Sequence, residues 1–248
     1  MALDAAAENF DRARLDLGLP DGSPAFLWLV EAGERGAERV LAHRSGRWTV
    51  DGSDGVSLGL VDHQAGRFMT AILGRQVRTA EDLEVLAIGL ADPVPTNRPL
   101  RDTVEECLQE EALVMLPWGF GKWTGSRGRA VVSVFETYSG RGLRLADTAA
   151  HARFLTESQA LARSIAVELP ILAGSDPFPF RDQVTAIGRY GFLLDDVPPE
   201  ARWEDLQPAV AALRAQPRRF GRPFGAVEFA RLQWKMQLRK RFGVGRTA

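Results

Sequence analysis

The sequence predicts an α/β fold in a single domain, on three observations. The chain has 248 residues, a size that α/β barrels reach as one unit. Residues 48–77 alternate apolar with small or polar positions around a turn, as hairpin strands do. After Pro99 helix-like and strand-like segments alternate, which implies parallel strands covered by helices. With 45% apolar and 25% charged residues, the composition is that of a globular protein able to build a core.

Taken in order, residues 3–17 read as an amphipathic helix ending near Gly18 and Pro20. Ser23-Pro24 opens a second helix, with Ser23 as N-cap and Pro24 at the first helical position. That helix carries Phe26, Leu27, Leu29 and Val30, with Gly33 and Gly36 as interruptions, so residues 1–46 form an N-terminal helical segment. Strands follow at Trp48 and Val50, at Val56, Leu58 and Leu60, at residues 67–73, and at Gln76 and Val77. Asp62-His63-Gln64-Ala65-Gly66 is the hairpin turn between them. Residues 83–90 make a further strand before the Pro-rich ADPVPTNRP. Residues 100–111 are helical, with Leu100, Val104, Cys107 and Leu108 on one face, and 112–116 form a short apolar strand. The expected continuation is strand 142–146, helix 156–167, strand 170–173, strand 187–194, helix 203–215 and a closing helix over 226–242.

Several function classes are disfavoured. A net charge of -1 provides no global field for nucleic acid or membrane. No apolar run approaches the ~20 residues that span a bilayer. Cys107 is the lone cysteine, so an intrachain disulfide is ruled out and a reducing compartment fits. The opening MALDAAAENFDRARLD carries acids where a signal peptide has a basic and then an apolar segment, so a cytoplasmic location is expected. His43, His63 and His151 are the three histidines, few and scattered for a multi-metal hydrolase.

Four constellations could carry chemistry. The loop LPWGFGKWTGSRGR, residues 116–129, follows a strand directly, where α/β proteins place ligands. Its glycines free backbone amides, Lys122, Arg127 and Arg129 supply positive charge, and Trp118 and Trp123 supply flat walls. It lacks the spacing of a P-loop or a GxGxxG motif. The other reading of this loop is a rigid surface turn with its Trp residues packed inward. Gly174-Ser175-Asp176-Pro177 follows another strand, so Asp176 is either a catalytic or metal-binding carboxylate or a turn residue. Asp62-His63 reads as a solvated hairpin tip rather than a ligand pair, and His43 and His151 read as partnerless surface residues. In the C-terminal helix Arg231, Lys235 and Arg239 share one face, and Val227, Trp234 and Leu238 form a second face suited to packing. A solvated basic face is favoured over a phosphate or lipid headgroup site. Glu105, Glu106, Glu110 and Glu111 read as solvated, and Cys107 as core.

Three segments in order resemble the polymerase-and-histidinol-phosphatase (PHP) superfamily, whose members are distorted (β/α)7 barrels, mostly metal-dependent phosphoesterases. GRQVRTAEDLEVLAIGL, residues 74–90, resembles the stretch in which a Glu ligand precedes an acidic turn and a strand. RPLRDTVEECLQEEALVMLPWGFGK, residues 98–122, resembles the helix and strand that end in a ligand His-Pro. LPILAGSDPF, residues 169–178, resembles the strand that ends in Gly-Ser-Asp-x-His. The N-terminal His-x-His has no counterpart, Gln76 stands at the Glu position, Pro117-Trp118 at His-Pro, and Pro177-Phe178 where the last His belongs. The resemblance therefore implies a PHP-like barrel that keeps Asp176 and loses the multinuclear metal site. One carboxylate cannot hold such a cluster.

Three functional expectations follow. In the first, a pseudoenzyme binds a small anionic or phosphorylated ligand through Trp118, Lys122, Trp123, Gln76, Arg127 and Ser175, with Asp176 beside them and no cofactor. In the second, a rebuilt hydrolase uses Asp176 as general base or as ligand to a single divalent metal, Asp147 as its partner, and Lys122 or Arg189 to stabilise negative charge. A third expectation is an interaction subunit acting through the basic C-terminal helix.

Overall fold

A computed structural model describes residues 1–31, 47–151 and 159–242. Gly33, Gly36, His43 and the first residues of the helix predicted over 156–167 lie outside the described residues. Helix α1 (Ala2–Leu17) ends at Gly18, whose φ of 65° lets its N–H turn back to the carbonyls of Arg14 and Leu15. Its buried side is Ala5, Ala6, Ala7 and Phe10, small enough for close approach to the sheet.

The segment predicted as a second helix is a strand, β1 (Phe26–Glu31). It pairs in parallel with the long strand β4 (Arg67–Arg78), Phe26 opposite Thr70. The run FLWLVE is aromatic and β-branched, and a partner more than 40 positions away supplies hydrogen bonds that no local signal announces. Strands β2 (Trp48–Ser53) and β3 (Ser57–Asp62) and the first half of β4 form an antiparallel meander. At Leu73 the pairing of β4 changes hands. Its N–H donates to the Val56 carbonyl, its own carbonyl accepts from Gly89, and β5 (Glu84–Ile88) pairs onward.

Beyond β5 the expected alternation is present, with one unforeseen helix over residues 125–138. Helix α2 (Leu100–Gln109), strand β6 (Leu113–Pro117), helix α3 (Gly125–Tyr138), strand β7 (Arg144–Thr148), helix α4 (Gln159–Ala166) and strand β8 (Ile171–Gly174) follow in order. Strands β6, β7 and β8 are parallel. The predicted strand over 187–194 shrinks to β9 (Tyr190–Phe192). It pairs with an unforeseen β10 (Arg219–Gly221) in a separate two-stranded sheet. Helices α5 (Trp203–Ala212) and α6 (Ala226–Phe242) complete the described residues.

The main sheet has eight strands in the order β2-β3-β4-β5-β6-β7-β8, with β1 beside β4. Among the described residues β8 pairs only with β7, and β1 only with β4, so the sheet stays open where a (β/α)7 barrel was expected. Among the described residues β2 to β5 follow one another as antiparallel neighbours without helices between them, and a cavity of about 420 Å³ lies between β1 and β8. Alternate residues feed the two sheet faces. Val114, Leu116, Leu145 and Ile171 pack under α2, α3 and α4, whereas Leu113, Met115, Ala146 and Leu172 pack with Trp203, Leu206 and Val210 of α5.

Two further expectations are corrected. In α6, Val227 is 84% and Trp234 66% exposed, and the helix packs instead through Phe229 and Leu232 on its far side. The basic stripe flanks that packed side. Arg231 and Lys235 pair with Asp182, and Arg239 donates to the Pro179 carbonyl. At the hairpin tip Asp62 is buried, not solvated. It accepts from Arg47 Nε at 2.7 Å and from the N–H groups of Gln64 and Ala65. The Arg47 hydrogen bond above all holds its carboxyl down at about 2. His63 remains exposed, its Nε2 2.7 Å from Thr49 Oγ1.

Candidate functional site

The C-terminal ends of β6, β7 and β8 lie on one rim of the sheet because these strands are parallel. Strand β5 is antiparallel to β6, so its first residue, Glu84, joins the same rim. Gly121, at φ 70°, turns the chain after β6, and Gly125, at φ 58°, opens α3. The glycine-rich loop is therefore shorter than expected, and Gly128 belongs to the first turns of α3. A Cβ there would come within 2.6 Å of the Trp123 carbonyl, which explains the glycine.

Lys122 reaches from this loop to Glu84, with Nζ 2.6 Å from Oε1. Asp176 follows β8 with a positive φ of 38°. Water reaches its side chain, which has no hydrogen-bond partner among the described residues. The neighbouring parts of the chain still desolvate the carboxyl. That desolvation, with repulsion from Glu84 and partial relief from Lys122, lifts its pKa to about 6. Gln76 lies opposite Leu86 on the strand pair β4–β5, on the same sheet face as Glu84. Of the predicted ligand-binding residues, the mouth thus brings Lys122 near Asp176 and adds Glu84, which carried no signal in the sequence beyond its place in a strand.

The remaining predicted residues go elsewhere. Trp118 is 7% exposed and stacks on His151 at 4.1 Å, and Trp123 is half-buried against the same core. Arg127 donates to the Gly121 carbonyl at 3.0 Å and faces Asp82. Arg189 grips Glu228 with two nitrogens, at 2.9 and 3.2 Å, and lies over the Phe224 ring. Ser175 Oγ accepts from the Gly188 N–H at 3.2 Å.

Asp147 centres a second cluster. Its Oδ1 lies 2.8 Å from His151 Nδ1, and its Oδ2 accepts from Arg219 at 2.8 Å and from the Tyr190 hydroxyl at 3.3 Å. Burial first, and then the Asp147 charge, push the Tyr190 phenol upward. His151 is thus a partnered, largely buried residue, not a surface one, and the spacing of four from Asp147 was the readable signal. This carboxylate ties β9 and β10 to β7. Its contacts are distinct from those of Asp176, so the two acids form separate clusters. Among the described residues no three His, Cys, Asp or Glu side chains gather as a metal-ligand set, and no described helix is long and apolar enough to cross a membrane.

No family model and no curated protein matches the sequence. Among solved structures, PsfC from Pseudomonas syringae PB-5123 is similar over 96% of this chain and 89% of its own, at 14% identity and a TM-score of 0.46. The lesion-specific endonuclease PfuEndoQ from Pyrococcus furiosus is similar over 77% of this chain, at 13% identity and a TM-score of 0.48. That match spans 49% of the endonuclease chain. Both are distant likenesses of fold and assign no activity.

Proposed function

We propose that the chain is a divergent PHP-like protein, derived from the distorted (β/α)7 barrel, that binds a small anionic or phosphorylated ligand at the mouth formed by Glu84, Lys122 and Asp176. The observation that carries this reading is the open, unbonded Asp176 carboxyl with its pKa near 6, beside a fixed ammonium. Above that pH the mouth holds two carboxylates and one cation, which opposes an anion. Below it Asp176 becomes a neutral O–H donor, and a phosphate oxygen can accept from both Asp176 and Lys122.

The family resemblance implies divalent metal. The residues present do not fit a cluster: Gln76 offers a neutral amide, Pro117 and Phe178 replace ligands, and the Lys122 ammonium already holds Glu84. The mouth therefore works through Lys122 rather than a metal cluster. Asp176 also has the pKa of a general acid working near neutrality, which favours phosphoester hydrolysis as a second reading, with Lys122 stabilising developing charge. The interaction-subunit reading draws no support from α6, because its basic stripe is engaged by Asp182 and the Pro179 carbonyl.

A thermal-shift screen with nucleotides and sugar phosphates at about pH 5 and about pH 8 tests the proposal. At least one phosphorylated compound is expected to raise Tm, more at the lower pH, and Lys122→Ala to abolish the shift. A screen without shifts at either pH, or shifts untouched by Lys122→Ala, overturns the binding reading. Turnover of bis(p-nitrophenyl) phosphate that is lost in Asp176→Asn would select the hydrolase.

A further inference from the structure

The cavity of about 420 Å³ at the open seam of the sheet is separate from the mouth, since Glu84, Lys122 and Asp176 do not line it. One wall comes from α1 and β1, including Phe10, Phe26 and Trp28. The other comes from the end of β8, from β9 and from the turn after β9, including Ala173, Phe192 and Leu194. Trp28 and Phe192 meet edge to face at 5.5 Å across the seam. The volume lies within the ~300–1,000 Å³ usual for small-molecule sites, and aromatic walls with few polar groups are their usual lining.

The charge on this lining that lacks a partner has one sign. Arg14 is already engaged, with Nε donating to the Ser23 carbonyl at 3.0 Å and another guanidinium nitrogen to Asp11 at 2.6 Å. The Tyr190 hydroxyl is turned to Asp147 and Arg219. Asp195 and Asp196 also line the cavity; both are exposed, and neither has an ion pair or hydrogen bond among the described residues. The uncompensated charge is therefore negative.

We propose that the seam cavity is a binding site for a small apolar cation, a compact aromatic or branched aliphatic body carrying an amine. The body fills the space between Phe26, Trp28 and Phe192, where a ring face can also meet the cation, and the ammonium faces Asp195 and Asp196 at the rim. The site rests on the failure of β1 and β8 to pair and does not depend on what the mouth binds.

The test is an amide NMR titration of the full chain with 2-phenylethylamine and, separately, phenylacetate, which has a similar body of opposite charge. The amine is expected to move the Gly174, Gly191 and Leu193 amides saturably and to bind more tightly than the acid. An Asp195→Asn/Asp196→Asn double variant, at exposed positions, should weaken the amine about two- to fivefold and erase the preference. Leu194→Trp should fill the space and remove both. The proposal is overturned if no amide moves, if phenylacetate binds as tightly as the amine, or if the double variant leaves the preference intact. The double variant decides even if Leu194→Trp does not fold.

Discussion

Replacing Asp176 by Asn should stabilise the protein, and only above a defined pH. The carboxyl pKa rises from the usual 3.8 to about 6 in the folded state, chiefly through desolvation. The folded protein therefore holds this proton more tightly than the unfolded chain. Stability is greatest below the lower value, falls as pH rises between the two, and levels off above the higher one. The full difference corresponds to at most ~3 kcal/mol at ~1.4 kcal/mol per pH unit. The side chain is open to water, which screens the penalty and reduces it to ~1 kcal/mol. Asn cannot ionise, and it tolerates the left-handed backbone at this position. Urea midpoints of the two proteins should therefore converge at about pH 3, below the unfolded value, and at about pH 8 the variant should gain ~1 kcal/mol, or roughly 2–4 °C in Tm. Asp62, held down at about 2, contributes stability that is present above about 4 and lost in stronger acid, but equally in both proteins, so it cancels in the difference. An unchanged difference between about pH 3 and about pH 8, or a variant less stable at about pH 8, would refute the desolvation argument.

Three other perturbations probe the packing that holds the mouth. Gly89→Ala sets a Cβ 2.1 Å from the Trp203 indole at a φ of 82°, so a loss of about 2–4 kcal/mol is expected by urea denaturation; a loss below half of that would show that α5 moves aside freely. Asp147→Ala leaves Arg219, Tyr190 and His151 without their common acceptor and should cost about 2–3 kcal/mol, with faster hydrogen exchange at β9 and β10; unchanged exchange there would contradict its role as a tether. Cys107 is fully buried and its thiol is pushed up to about 12, by burial first and then by Glu106 and Glu110, so native protein at about pH 8 should resist a thiol reagent and react once on unfolding; rapid native labelling would refute this.

Much of the fold is readable from local pattern, and the exceptions have physical causes. The turn from Asp62 to Gly66 and the apolar stripe of α2 follow from turn chemistry and apolar spacing, and the predicted limits of α6, though not its packed face, coincide with the observed ones. The run Phe26–Glu31 is apolar at almost every position, so periodicity cannot separate strand from helix, and distant β4 decides. Helix α3 hides behind Gly125 and Gly128, which depress helix propensity, although Val131, Val134, Phe135 and Tyr138 form an evident helical stripe. Trp118 is two residues beyond Leu116, so strand alternation turns it to the helix-covered face rather than into an open pocket. Asp176 is readable from its place after a strand. Glu84 is not, because its meaning depends on β5 running antiparallel to β6, which puts the start of one strand beside the end of the other.

Binding at the mouth depends on whether the Asp176 carboxyl, its pKa raised above the usual value, takes up a proton as an anion enters. A carbon NMR titration of its carboxyl, without and with saturating inorganic phosphate, measures this most directly. The midpoint should lie above the usual 3.8, between that value and about 6, in the free protein and move upward when phosphate binds, because the protonated carboxyl is the form that donates to the anion. A midpoint at the usual 3.8, or a raised one that phosphate leaves unmoved in the native chain, would contradict it.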